Sequence, residues 1–167
     1  MDWSTVVAIY AAFLATILAF REIIISRKRL YGGLRQYRYF DLDNSTPKYF
    51  FELSFANKSQ RPIQIDSIHL LCGKDDYTLS AEAFNDPKPT MPIYLHESEG
   101  KIFSLNIPHL VSWFKLRYPH SKKIAIQVLL ITSDGIPCRS KLSSFDVEMY
   151  SEIYKDKLIK LVDPQKG

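Results

Sequence analysis

Near the start of the chain polar positions almost disappear. From Thr5 to Phe20 no residue is charged and none breaks a helix. After Arg21 and Glu22 the apolar run resumes at Ile23, Ile24 and Ile25. Thr5 to Ile25 is 21 residues. At about 1.5 Å per residue a helix of that length spans roughly the 30 Å hydrocarbon core of a bilayer. A secretory signal peptide needs a basic start and a small-residue cleavage site. Here the start carries Asp2, and bulky isoleucines followed by bases stand where cleavage would occur. The pattern predicts an uncleaved transmembrane helix; a buried or surface-lying amphipathic helix is the competing reading.

Beyond the helix the period changes to two, the spacing of strands with one buried face. Residues 35–42 alternate. In "KYFFELSF", Tyr49, Phe51, Leu53 and Phe55 share a face. "NKSQRP" at 57–62 has turn chemistry. In "IQIDSIHLL", Ile63 and Ile65 have one parity and Ile68 and Leu70 the other, which predicts a bulge near Asp66–Ser67. "DYTLS", "KIFSLNI" (101–107) and "KIAIQVLLIT" (123–132) are further strands, the last apolar on both faces as a central strand would be. "CRSKLSSF" pairs back across the turn "SDGIP". Pro87, Pro89 and Pro92 mark 83–100 as loop, with a short edge strand at Ile93–Leu95. Leu110, Val111 and Phe114 predict a short helix at 108–118. Met149, Ile153, Leu158 and Leu161 predict a C-terminal helix over 147–162.

These elements predict a mainly β fold: a β-sandwich or partly open barrel, with one inserted helix and a C-terminal helix, behind a membrane anchor. Residues 1–30 form the anchor and its basic base, and 31–167 the domain. Gly32–Gly33 is the expected hinge between them.

Three stretches carry a resemblance. "FANKSQRPIQIDSIHLL" resembles the N-x-G/S-x-x-P-I-x-I-x-x-I stretch of small bacterial single-pass membrane proteins with an N-terminal helix and an immunoglobulin-like β-sandwich. "LHESEGKIFSLNIPHL" resembles their L-x-x-G-E-x-x-x-F-x-I-x-x-L stretch, with the Gly-Glu order lost. "LLITSDGIPCRSKL" resembles their last hairpin, with Cys138 near the usual Tyr. The resemblance spans most of residues 1–145. It implies an immunoglobulin-like sandwich and its topology, and names no ligand.

Charge sets the expected orientation. The chain has 22 Lys and Arg against 18 Asp and Glu. Through Arg38 the balance is six (Arg21, Arg27, Lys28, Arg29, Arg35, Arg38) against two, leaving 16 and 16 for the remainder. The excess of bases therefore belongs to the anchor's base. Bases after the span keep that side in the cytoplasm, with the N-terminus outside an inner (cell) membrane. Arg21, Arg27, Lys28 and Arg29 are the expected membrane-surface contacts. A neutral domain lacks the electrostatic footprint of DNA or RNA duplex binding. Ala8, Ala12 and Thr16, and Ala11, Ala15 and Ala19, recur every four residues. This spacing permits close helix approach and a homo-oligomer, although alanine is also common in membrane helices.

Candidate chemistry is sparse. Cys72 and Cys138, in a reducing compartment, are expected as buried thiols without a disulfide. The four histidines lie at no metal-ligand spacing, and His69 is expected to face solvent. No phosphate-binding or nucleophile motif occurs, so neither enzyme, metal nor cofactor is expected. "RQYRYF" interleaves Arg35, Tyr37, Arg38 and Tyr39. With Lys122 and Lys123 these are the candidate residues for stacking on a base and holding a phosphate. The expected function is a membrane-anchored cytosolic interaction module that binds a protein partner or itself. The alternative is a membrane-disrupting antiphage effector gated by a cyclic nucleotide.

Overall fold

The computed structural model describes residues 2–26, 30–41, 44–156 and 158. Helix α1 (Trp3–Ser26) precedes β1 (Leu30–Asp41), β2 (Asn44–Asn57), β3 (Ile63–Cys72) and β4 (Asp75–Thr78). There follow β5 (Ile93–Leu95), β6 (Gly100–Ser104), α2 (Ile107–Arg117), β7 (Lys123–Thr132), β8 (Pro137–Arg139), β9 (Ser143–Asp146) and α3 (Val147–Ile153). One sheet has the order β1-β2-β6. The other has the order β4-β3-β7-β8, with β5 also on β3 and β9 also on β7. All these pairings are antiparallel.

The alternation read from the sequence is the alternation that buries the core. Phe51, Leu53 and Phe55 of β2 turn inward, opposite Ile63, Ile65, Ile68 and Leu70 of β3 and Ile126, Val128 and Leu130 of β7. The change of parity in β3 is a bulge. Ile65 pairs with Thr132 and Ser67 with Ile131, so β3 advances two residues while β7 advances one. The expected edge strand at Ile93–Leu95 is β5, paired with Ile63–Ile65.

Helix α2 starts where Asn106 accepts a hydrogen bond from His109 N at 3.2 Å, and Pro108 occupies its first turn. It lays Leu110, Val111 and Phe114 into the core. Helix α3 is capped by Asp146, which accepts from Met149 N at 2.9 Å. Its buried face is Val147 and Tyr150, whereas Ile153, expected inward, is 41% exposed. Tyr150 packs on Phe145 and Tyr49, with ring centroids 4.9 and 6.0 Å apart, and this contact turns the Val147–Tyr150 side inward. Leu158 packs against the core; Leu161 lies outside the described residues.

The glycine pair is not a hinge. Gly32 and Gly33 lie inside β1, opposite Phe55 and Ser54. A Cβ on Gly32 would stand 3.2 Å from Leu130 Cδ1, so glycine permits a close approach of β1 to the second sheet. That seam continues in two bonds. Cys138 Sγ donates to Leu30 O at 2.8 Å, and Gln36 Nε2 donates to Ser144 O at 2.8 Å. The opposite seam is held by Asn57, fully buried at the end of β2. Its amide donates to Arg61 O (2.8 Å), His96 O (3.0 Å) and Leu95 O (3.3 Å). Its oxygen accepts from Ser59 N and Oγ at 2.9 and 2.6 Å.

At the far end, Arg117 holds Asp75 with two guanidinium bonds of 3.1 and 3.2 Å, and the Tyr118 hydroxyl donates to Asp75 at 2.5 Å and lies 3.0 Å from Cys72 O. The hydrogen bonds from Arg117 and Tyr118 lower the Asp75 pKa. Burial, then the bond to Asp75, pushes Tyr118 up to about 12. The buried thiol of Cys72 is likewise pushed up to about 12.

Two outcomes follow from these contacts. Asn57→Ala leaves buried carbonyls unpaired and is expected to cost about 3 kcal/mol, read as a fall of roughly 10 °C in thermal midpoint. A fall within error of zero would mean that Asn57 does not hold the seam. Tyr118 titrates above its ordinary value of 10.0 when folded, so its contribution is complete below that pH and is lost as pH rises toward 12. Tyr118→Phe is therefore expected to be less stable at neutral pH, and to lose less further stability between pH 10 and 12 than the parent, by denaturant titration.

Candidate functional site

Strand pairing turns alternate residues of β1 to the outside of the three-stranded sheet. Tyr31, Gly33, Arg35, Tyr37 and Tyr39 lie opposite Ala56, Ser54, Glu52, Phe50 and Lys48. Gly100, Ile102 and Ser104 of β6 continue the first three rows. Two glycines, an alanine and a serine fill four of the six positions in the first two rows, leaving Tyr31 and Ile102 as their only bulky side chains. The result is an open groove of about 540 Å³, flanked by Tyr31 and Arg35 on one side and Ile102 on the other. Ser54 Oγ donates to Gly33 O at 3.4 Å across its floor. Tyr31 and Ile102 are 60% and 61% exposed.

The candidate binding residues of the "RQYRYF" stretch separate here. Arg35, Tyr37 and Tyr39 share the outer face, and Arg38 has the opposite parity, beside Tyr49. Tyr37 stacks on Phe50 with centroids 5.2 Å apart, and its hydroxyl donates to Glu52 at 2.5 Å. That bond raises the Tyr37 pKa. One face of the Tyr37 ring is thus already occupied. Lys122 and Lys123 belong to the other sheet's side and face carboxylates: Lys122 lies 3.0 Å from Glu148, and Lys123 lies 3.4 Å from Asp146. The structure does not bring these lysines to the Arg35 face.

The anchor candidates are distributed as follows. Ala8, Ala11, Ala12, Ala15, Thr16 and Ala19 are all exposed on α1, and Thr16 Oγ1 is bonded to Ala12 O at 2.8 Å. Arg21 falls within α1. Arg27, Lys28 and Arg29 lie outside the described residues. Cys72 is buried, Cys138 is half-buried, and both are free thiols. Burial raises the pKa of each, which makes them poor nucleophiles at neutral pH. Among the described residues no group of three or more His, Cys, Asp or Glu could hold a metal ion.

One arrangement escaped the sequence reading. His69 lies on the outer face of the second sheet, as expected, but is drawn into a polar chain. Ser67 Oγ is 2.8 Å from His69 Nε2, and His69 Nδ1 is 2.8 Å from Asp76 Oδ1 and 3.2 Å from Thr78 Oγ1. A carboxylate only accepts, so the neutral ring carries its proton on Nδ1 and Nε2 accepts from Ser67. This order polarises a serine hydroxyl. Acyl transfer would also need donors aimed at an oxyanion above the sheet face, whereas a strand's N–H groups lie in the plane of the ladder, across from its side chains. The contacts of His69 with Asp76 and Thr78 tie β4 to β3. The signal of the polar chain was half visible: Ser67 and His69 share a strand face, but Asp76 joins them only through the hairpin register, in which Leu71 pairs with Asp76.

No protein-family profile matches the chain, and no curated protein matches its sequence.

For the polar chain, long-range proton–nitrogen spectra of His69 at neutral ring charge are expected to show Nδ1 protonated and Nε2 bare. Asp76→Ala should shift the ring toward the opposite tautomer and cost about 1 kcal/mol. An unchanged spectrum in Asp76→Ala would show that Asp76 does not orient the ring.

Proposed function

We propose that this chain is a membrane-anchored, non-enzymatic interaction module, with α1 across the bilayer and the β domain in the cytoplasm. The observation that carries this reading is the state of α1. The helix has 24 residues, and its 18-residue apolar window from Trp3 to Phe20 has no part buried against the rest of the chain. Ten large apolar side chains of that window are exposed, from Trp3 and Val6 through to Phe20. At about 2 kcal/mol for each, leaving them in water forgoes on the order of 20 kcal/mol of burial. They occupy consecutive positions as well as helical ones, as in Val6–Val7 and Leu14 beside Phe13. A helix apolar all round suits a membrane span better than a surface-lying amphipathic helix.

Orientation rests on the bases that follow the span, against Asp2 before it. Self-association through the rows Ala8–Ala12–Thr16 and Ala11–Ala15–Ala19 is part of the proposal. In lipid, small residues at this spacing let two backbones approach. The thermodynamic role of the anchor is to raise the local concentration of the β domain at the membrane. The partner is a protein or a second copy of the chain.

The test is site-specific labelling in intact cells. A cysteine at Ser4 is expected to react with a membrane-impermeant reagent from outside, and one at Ser98 only after lysis. A reporter active only in the cytoplasm, fused after Gly167, should be active. The reverse labelling pattern would overturn the orientation. Recovery of the full chain in the soluble fraction would overturn the anchor.

A further inference from the structure

Only residues 27–29 separate α1 from β1. Four residue steps from Ser26 to Leu30 reach at most about 14 Å. The start of β1 is therefore tied to the end of α1, whereas the 12 residues of β1 carry Asp41 roughly 40 Å away along the strand. The outer-face groove belongs to the tied end. Its first row is Tyr31–Ala56–Gly100 and its second Gly33–Ser54–Ile102.

We propose that this groove seats the headgroup of an anionic phospholipid of the same bilayer that holds α1; the inference rests on the anchor reading above. Four features of the groove fit that occupant. Its floor is nearly bare: a Cβ on Gly33 would meet only Ser54 Oγ, at 3.5 Å. Arg35 stands at its rim with no acidic partner among the described residues; Glu52, opposite in the ladder, accepts from Tyr37. A guanidinium binds the oxygens of a phosphate in a fork. Tyr31 and Ile102, both more than half exposed, flank the phosphate position with amphipathic and apolar surface of the kind that sits at a membrane interface. Finally, Arg27, Lys28 and Arg29 directly precede β1 in the sequence, and bases next to a membrane span attract anionic lipid.

Docking of this kind would hold the first sheet against the membrane and leave the Ser67–His69 face of the second sheet turned away from it. Lys74, in the turn between Cys72 and Asp75, is at the end of the sandwich remote from α1.

The test uses full-length protein carrying single nitroxide labels, in a Cys138→Ser background; the buried Cys72 does not compete for the label. Labels are placed at Leu14→Cys, Ile102→Cys and Lys74→Cys. The protein is reconstituted into vesicles of phosphatidylcholine alone and of phosphatidylcholine with phosphatidylserine, each containing a lipid with a headgroup-chelated paramagnetic metal. The Ile102 label is expected to relax several-fold faster than the Lys74 label, and to do so in the phosphatidylserine vesicles. Arg35→Ala should lower the docked-to-undocked ratio about fivefold, equivalent to the roughly 1 kcal/mol of one base near an anionic surface. Gly33→Leu should abolish docking, with an unchanged circular dichroism spectrum showing that the domain is folded.

Equal relaxation at Ile102 and Lys74, with the Leu14 label in lipid, would overturn this inference and leave the anchor standing. A Leu14 label open to water-soluble reagent would overturn the anchor itself. Relaxation at Ile102 that ignores phosphatidylserine and Arg35 would overturn the headgroup assignment in favour of plain apolar contact. Shielding of Ile102 that grows with protein density would assign the face to a second copy and overturn the lipid.

Discussion

One buried carboxamide holds the two sheets to each other at the end of the domain nearest α1. Asn57 ends β2 in the first sheet, and its side chain serves carbonyls at Arg61, just before β3, and at Leu95 and His96, at the end of β5. Two amide protons meet three acceptors, so the longest bond, 3.3 Å to Leu95 O, shares a donor. The oxygen is occupied by Ser59, itself 4% exposed and bonded onward to Arg61 O at 2.9 Å. An apolar residue here would strand several carbonyls, and an aspartate would add a buried charge facing them. The crossing from one sheet to the other therefore depends on an amide at this position.

Once that crossing is fixed, the rest of the closure is packing. Gly32 lets β1 lean on Leu130, and α2 seals the other end with Leu110, Val111 and Phe114. The far end has its own clamp. Tyr77 stacks on Trp113 with centroids 4.3 Å apart, and its hydroxyl meets His109 Nε2 at 2.9 Å. Beside it Asp75 takes Arg117 and Tyr118. Both ends are thus tied by polar contacts around an apolar middle, which leaves the two outer sheet faces free to differ. One carries a groove of small residues at its α1 end and aromatic and charged side chains beyond it. The other carries the Ser67–His69–Asp76 chain.

The connection to α1 gives these faces unequal surroundings. A three-residue link cannot carry the domain far from the helix, so whatever surrounds the end of α1 also surrounds Tyr31 and Gly33. The residues beyond Arg38 carry equal numbers of bases and acids, and long-range attraction to an anionic surface is confined to the link and the start of β1.

The sequence by itself determined the elements whose cause is local. The apolar run that becomes α1, the inward set Phe51–Leu53–Phe55, the parity change that becomes the bulge at Ser67 and the short strand at Ile93–Leu95 were all legible, because period and turn chemistry act between near neighbours. Only the tertiary structure decided what depends on register and approach. Gly32–Gly33 reads as a hinge until β1 is seen against Leu130. Ile153 fits a helical stripe until Tyr150 is seen packed on Phe145 and Tyr49, which leaves Ile153 outside. Arg35 and Arg38, three apart in one strand, take opposite faces by the period of two alone, and only the pairing shows that Arg35 is on the outer one, opposite Glu52. Asp76 joins His69 through the register of one hairpin, and Ile102 joins Gly33 across β2 from a strand distant in sequence. No spacing along a single chain encodes such neighbours, because ladder register is settled by the burial of whole strands rather than by the residues that end up side by side.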